Sequence, residues 1–139
     1  MEISLVRKRL TETIDRAKKQ AAERRGRGDQ ASRDFEVFLQ KVAVPLLRQV
    51  ANALKADGYA FTVFTPSDSV RLMSDRSTDD FIELSLDAAG ETAQVIGRVS
   101  RTRGRRVIDA ERTVGAPATL TEEQLLDFLM KELEAFVER

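Results

Sequence analysis

The strongest pattern in the chain is an apolar run between Phe35 and Asp57, FEVFLQKVAVPLLRQVANALKAD. Its apolar side chains recur at spacings of three and four residues, the period that places side chains along one face of an α-helix. The positions that follow this period are Phe35, Phe38, Val42, Leu46, Val50 and Leu54. We predict a buried helix here, and we expect the remaining elements to pack against it or to extend from it.

Local signals set the ends and the shape of this helix. Ser32 or Asp29 can accept backbone hydrogen bonds at its start, and Gly58 suits the left-handed turn that ends a helix. Pro45 has no backbone N–H, and its ring clashes with the carbonyl one turn earlier. We therefore expect a kink between Lys41 and Val44.

A second helical pattern covers the chain from Glu2 to about Arg25. Its apolar residues follow a seven-residue rhythm, and they form a narrow stripe among basic side chains. The stripe consists of Ile3, Val6, Leu10, Ala17 and Ala21. Such a helix buries little surface in its own core, so we expect it to dock on another chain or to lie along its own surface. The predicted partner-helix interface comprises Ile3, Val6, Leu10, Ala17, Arg7 and Lys8.

The segment from Gly26 to Ser32, GRGDQAS, separates the two helical patterns. Its glycines and small polar residues are typical of a break between helices. We therefore predict a basic amphipathic helix at residues 1–25 and a single α+β domain at residues 33–139.

After Gly58 the apolar period changes to two, which predicts β-strands. The alternation and the turn residues between the runs place five strands at residues 59–64, 69–74, 80–86, 92–102 and 105–114. The connections are short, and successive strands joined by short connections pair antiparallel. The sequence therefore predicts an antiparallel meander.

The last helix is predicted after Thr121. Thr121 and Gln124 have the spacing of a capping box, and Leu120 can pack on Leu125 as a hydrophobic staple. The predicted fold class is α+β, with two N-terminal helices, a five-stranded antiparallel meander sheet and one C-terminal helix packed on the sheet. A curved meander that holds a C-terminal helix resembles the helix-grip layout in outline.

Composition excludes several kinds of chemistry. The chain has neither Cys nor His, so thiolate nucleophiles, disulfides and Ser-His-Asp catalysis are impossible. We expect no catalytic residues, no cofactor and no metal site. No run approaches the about 20 apolar residues of a membrane span, and the N-terminus has no apolar segment of the signal-peptide type. We therefore expect a cytoplasmic protein.

The net charge is zero, but the charges form blocks of alternating sign along the chain. Residues 1–33 carry ten basic against five acidic side chains, and residues 113–139 carry two against six. Such blocks commonly satisfy one another within a fold or across a dimer. The sharpest basic cluster lies at the last hairpin, and its candidate partner- or anion-binding residues are Arg98, Arg101, Arg103, Arg105 and Arg106.

Two further constellations have weaker signals. Asp109 and Glu111 lie two residues apart on a strand, so their carboxylates share a face and could hold Mg²⁺, although an ion-pair ladder is the commoner arrangement. An apolar pocket beneath the last helix would be lined by Phe61, Phe64, Phe81, Ile96 and Phe128, which are equally what an ordinary core requires.

Our functional hypothesis is a small, non-enzymatic, cytoplasmic protein–protein interaction module or accessory subunit. Its partner is another protein or a second copy, and we expect a homodimer in which basic and acidic helices meet. The first alternative is a nucleic-acid-binding protein that uses the arginine-rich hairpin and the basic N-terminal helix. The second is a small-ligand binder of helix-grip type.

Overall fold

The computed structural model describes residues 1–138 and confirms the predicted α+β order. Helix α1 spans Ile3–Phe38, a π-helical turn spans Leu39–Ala43, and helix α2 spans Val44–Ala56. The strands are β1 (Phe61–Phe64), β2 (Val70–Ser74), β3 (Phe81–Asp87), β4 (Gln94–Arg103) and β5 (Arg106–Gly115). Helix α3 spans Glu122–Val137. An N-terminal helical region is therefore followed by five strands and a C-terminal helix.

The predicted break at residues 26–32 is wrong. Helix α1 continues through Gly26 and Gly28 and joins the π turn without interruption. A glycine inside a helix costs about 1 kcal/mol relative to alanine, an amount that packing elsewhere in the helix can offset. Here Phe35 and Phe38 are buried in the core, and Gln30 donates a side-chain hydrogen bond to Asp34 one turn later at 3.0 Å. Asp29 and Ser32 consequently lie inside the helix and do not cap it.

Where we expected a kink, between Lys41 and Val44, the structure has a π turn. The backbone N–H of Val44 donates to the carbonyl of Leu39, five residues earlier, whereas an α-helix would use the carbonyl four residues earlier. The extra residue in this turn makes room for the ring of Pro45, which stands at the start of α2. The helix ends as predicted, with Gly58 at a φ of 90°.

The sheet is an antiparallel meander in the order β1-β2-β3-β4-β5, as predicted. Each strand pairs with its neighbour in the sequence, and the β4–β5 pairing shifts register between Val95 and Ile96. The final hairpin turns at Gly104, whose φ of 63° lies in the left-handed region that glycine adopts without steric cost. All five predicted strands are confirmed.

Helices α2 and α3 cover the same face of the sheet. Helix α2 packs on β1 and β2, whereas α3 packs on β5 and on the π turn. Their buried side chains form one cluster with the inward residues of the strands, including Leu47, Leu72, Leu84, Val95 and Leu129. Among residues 1–138, no helix packs on the other face of the sheet, and we call it the open face.

Local contacts fix α3 on the sheet. Its predicted capping box is confirmed, because Gln124 donates its backbone N–H to the hydroxyl of Thr121 and its side chain accepts from the backbone N–H of Thr121. The buried carboxylate of Glu132 forms an ion pair with Arg112 on β5, with Oε1 of Glu132 lying 2.5 Å from Nε of Arg112. Across residues 1–138, none of the helices combines the length and the apolarity required to cross a membrane.

Candidate functional site

The first half of α1 stands clear of the rest of the chain. Every residue from 1 to 20 is exposed, and Ala31 is the first buried residue of the helix. At about 1.5 Å per residue, the helix extends roughly 40 Å before it enters the core. An exposed helix of this length obtains no stabilisation from tertiary packing within its own chain.

Apolar side chains on this exposed helix form one stripe. Ile3 is 74% exposed and Leu10 is 57% exposed, although large apolar residues in soluble proteins are usually buried. We define the N-terminal stripe as Ile3, Val6, Leu10, Ile14 and Ala17, which share one face at about 100° per residue. The predicted seven-residue rhythm missed Ile14, which the spacing of four residues from Leu10 would have revealed.

Basic side chains border the N-terminal stripe on both sides. By helical position, Arg7 and Lys18 follow it on one side, and Arg9 and Arg16 lie farther round on the other, while Glu12 and Asp15 fall on the opposite face. Lys8, which was expected at the interface, lies farther round the helix. The helix therefore presents an apolar strip between two basic edges.

A groove lies between α2 and α3. It encloses about 710 Å³ and its walls are mainly aliphatic, with Val50 and Leu54 on α2 and with Leu126, Met130 and Val137 on α3. Met130 is 49% exposed, and Leu126 is also exposed. Sequence reasoning missed this groove because it assigned the whole apolar face of each helix to the core.

The rim of the groove is acidic. Asp57, Glu122 and Glu134 line it, and no basic side chain does so among the residues that the structure describes. One end is closed by Tyr59, whose hydroxyl lies 3.5 Å from the carbonyl oxygen of Val137. The groove therefore has an apolar floor, an acidic rim and an opening toward solvent.

The five candidate anion-binding arginines lie in two places. Arg98 and Arg101 are three residues apart on β4, so their side chains leave opposite faces of the sheet. At the tip, Arg103 and Arg106 are directly opposite each other in the pairing of β4 with β5. Within residues 1–138, the four tip arginines, Arg101, Arg103, Arg105 and Arg106, form no ion pair.

Arg98 belongs to an ion-pair ladder on the open face. Its Nη2 lies 2.6 Å from Oδ2 of Asp109, and its Nε donates to the same carboxylate at 3.1 Å. The hydrogen bond from Arg98 lowers the pKa of Asp109, and the hydrogen bond to Asp109 raises the pKa of Arg98. Arg71 repeats the arrangement with Glu83 at 2.8 Å.

Both ladder arginines cover Phe81. The guanidinium carbon of Arg71 lies 4.1 Å from the ring centroid, and that of Arg98 lies 5.5 Å from it. Phe81 is 6% exposed although no helix covers this face. A guanidinium over an aromatic face is attracted by the ring quadrupole. The two arginines of the ladder therefore cover an aromatic side chain that lies outside the main core.

Of the two weaker constellations, Asp109 joins an ion-pair ladder, which was the commoner expectation, and the candidate pocket residues do not line one cavity. Asp109 is bound to Arg98, and among the described residues no group of three or more Asp and Glu side chains could hold a metal ion. Of the five pocket residues, Phe61 packs edge-on against Phe136, Phe64 is exposed, and Phe128 lies against Gly97. Phe81 belongs to the open face, so these rings do not surround one cavity.

The structure thus offers two surfaces with apolar residues left uncovered, the N-terminal stripe and the groove, together with one concentrated basic tip. Comparison of the chain with protein-family models, with curated proteins and with solved structures yields no match.

Proposed function

We propose that the protein is a small cytoplasmic protein–protein interaction module that self-associates through its N-terminal helix. The observation that carries this proposal is the exposure of the N-terminal stripe along the first half of α1, which no other element of residues 1–138 covers. Burying one large aliphatic side chain contributes about 1.5–3 kcal/mol. Several such side chains in one stripe supply enough free energy to hold a partner.

The charge pattern supports a partner of the same kind. The stripe has basic edges, whereas the exposed side of α3 is acidic, with Glu122, Glu123 and Glu134 among its residues. In a two-fold dimer each copy offers the same surface to the other. The basic helix of each copy can therefore contact the acidic helix of the other, and this contact forms twice. Opposite charges would orient the encounter, and the apolar stripe would supply affinity.

Light scattering coupled to size exclusion tests this proposal on the full chain, whose monomer mass is 15.6 kDa. We expect the wild-type chain to elute as a dimer. The double substitution Val6→Gln and Leu10→Gln removes two apolar contacts while preserving helix propensity. It should weaken the dimer by about 3 kcal/mol or more, which is at least about a hundredfold in Kd.

The matched control is Leu5→Gln, since Leu5 is an exposed leucine on the opposite face of the same helix. This variant should dimerise as the wild-type chain does. A wild-type chain that stays monomeric at every concentration would contradict self-association, and equal weakening by both variants would contradict the role of the stripe.

The paired arginines at the hairpin tip favour a second candidate function, nucleic-acid binding. Like charges directly opposite each other on paired strands are destabilising, and a phosphate between Arg103 and Arg106 would relieve that repulsion. A β-ribbon can enter a groove of nucleic acid, and arginine suits bidentate phosphate contacts.

A salt titration tests this candidate. If the tip binds nucleic acid, the affinity for a duplex should fall steeply as salt is raised. Replacing Arg101, Arg103, Arg105 and Arg106 by Ala should flatten the slope of log K against log salt by about one unit per lost phosphate contact. Fluorescence anisotropy with labelled DNA and RNA measures both quantities. Arg98→Gln is the control, because Arg98 is already bound to Asp109.

A further inference from the structure

We infer that the groove between α2 and α3 is the docking site for the N-terminal stripe of a second copy of this chain. This inference rests on the proposed function and names the surface that the stripe occupies. In the dimer that follows, each copy inserts its first helix into the groove of the other. The contact forms twice, as a two-fold axis requires.

The two surfaces have matching apolar character. The groove exposes Leu126 and Met130 although neighbouring residues of α3 are fully buried, and the stripe exposes Val6 and Leu10. An amphipathic helix that lays its apolar face into a hydrophobic groove is a recurrent mode of protein recognition. Methionine on the groove wall suits this role, because its unbranched side chain adapts to the shape of an incoming helix.

Their lengths also match. Helix α3 has 16 residues and α2 has 13, so the groove between them runs for roughly 20–24 Å at 1.5 Å per residue. The stripe from Ile3 to Ala17 covers a comparable roughly 20 Å of α1. One groove can therefore receive the whole stripe.

Charge selects the partner. Asp57, Glu122 and Glu134 stand on the groove, and no basic side chain lines it in the described part of the chain. The stripe carries Arg7 and Lys18 on one border and Arg9 and Arg16 on the other. A helix with an apolar strip between basic edges therefore complements an apolar floor whose charged lining residues, in the described part of the chain, are all acidic. This complementarity favours a second copy over an arbitrary apolar helix.

The chain's own first helix is not available to its own groove. Helix α1 continues into α2 through the π turn, so the stripe could reach its own α2–α3 groove only if the helix opened and folded back. Such an opening would forfeit the helical hydrogen bonds at the break. Exchange between two copies keeps both helices intact.

Disulfide trapping tests the inference, and the absence of native cysteine makes the experiment clean. Full-length chains carrying Val6→Cys, Leu10→Cys or Ile14→Cys are each mixed with tagged full-length chains carrying Met130→Cys. A disulfide requires Cα atoms within about 7 Å, so only residues held side by side are trapped. All four positions are exposed, so the substitutions leave the core intact. The control is Leu5→Cys on the opposite face of α1.

We expect at least one stripe position to form the mixed disulfide with Met130→Cys about tenfold faster than Leu5→Cys does, because docking raises the effective concentration of the two thiols. A mixed disulfide at the rate of the control would overturn the inference. If the wild-type chain is dimeric and Leu10→Cys instead links to itself, two first helices pair with each other, and the inference fails while the proposed function stands.

Two further results separate the remaining cases. A chain carrying both Leu10→Cys and Met130→Cys that closes a disulfide within a monomer would show that the helix folds back on its own groove, and the inference would fail. A wild-type chain that is monomeric in light scattering would remove both the inference and the self-association on which it rests.

Discussion

Replacing Leu47 by Ala should lower the free energy of unfolding by about 2–5 kcal/mol, the range observed when a large aliphatic side chain is removed from a well-packed core. Leu47 is completely buried at the beginning of α2, two residues after Pro45. Its side chain lies in the cluster that joins α2 to the sheet and to α3. The cavity left by truncation cannot close fully, because the π turn and the sheet hold the backbone on either side.

Urea denaturation measured by circular dichroism gives the change directly, through the midpoint at constant slope. The control is Val37→Ala on α1, outside both the groove and the N-terminal stripe, where the valine is 50% exposed and the loss should be under about 1.5 kcal/mol. Equal losses in the two variants would contradict the assignment of Leu47 to the core.

The second large effect is expected at Gly97 on β4, where the ring of Phe128 on α3 lies against the backbone. A methyl group added there would overlap Cζ of Phe128 and lie 2.9 Å from Cε1 of the same ring and 3.2 Å from Cγ2 of Val114. Gly97→Ala should therefore cost about 1–3 kcal/mol through overpacking, although it adds only one carbon. Either the ring leaves its position or α3 moves outward.

A double-mutant cycle separates this steric cause from any intrinsic preference for glycine. If the clash with the ring is responsible, Gly97→Ala should cost much less in a Phe128→Leu background, with a coupling energy of about 1 kcal/mol or more. Thermal or urea unfolding of the four proteins supplies the measurement. A penalty that is the same in both backgrounds would locate the cost in the backbone of β4 instead.

The strands and α3 could be predicted because their signals are local. Alternating apolar residues are separated by turn residues, and Thr121 with Gln124 forms a cap from neighbouring side chains alone. The continuity of α1 could not be predicted in this way. Gly26 and Gly28 disfavour the helix locally, whereas the docking of Phe35 and Phe38 against a distant sheet favours it.

The sequence was also a poor guide to which apolar side chains share one face of the sheet. Alternation on β3 correctly predicts that Ile82 and Leu84 point inward, but the pocket interpretation grouped Phe81 with the inward residues, although neighbouring residues of a strand face opposite sides. In the structure Ile82 is in the core, and Phe81 lies under two arginines on the open face.

The groove between α2 and α3 was also missed by the sequence analysis. The apolar faces of α2 and α3 are readable separately, but the gap between them depends on where each helix sits on the sheet.

The π turn has a consequence for evolution by insertion and deletion. Each residue of a helix advances the side-chain direction by about 100°, so adding or losing one residue between Leu39 and Ala43 would rotate everything upstream around its axis by roughly that angle. The direction in which Ile3, Val6 and Leu10 point relative to the sheet therefore depends on the number of residues in the π turn, which lies about thirty positions farther along the chain.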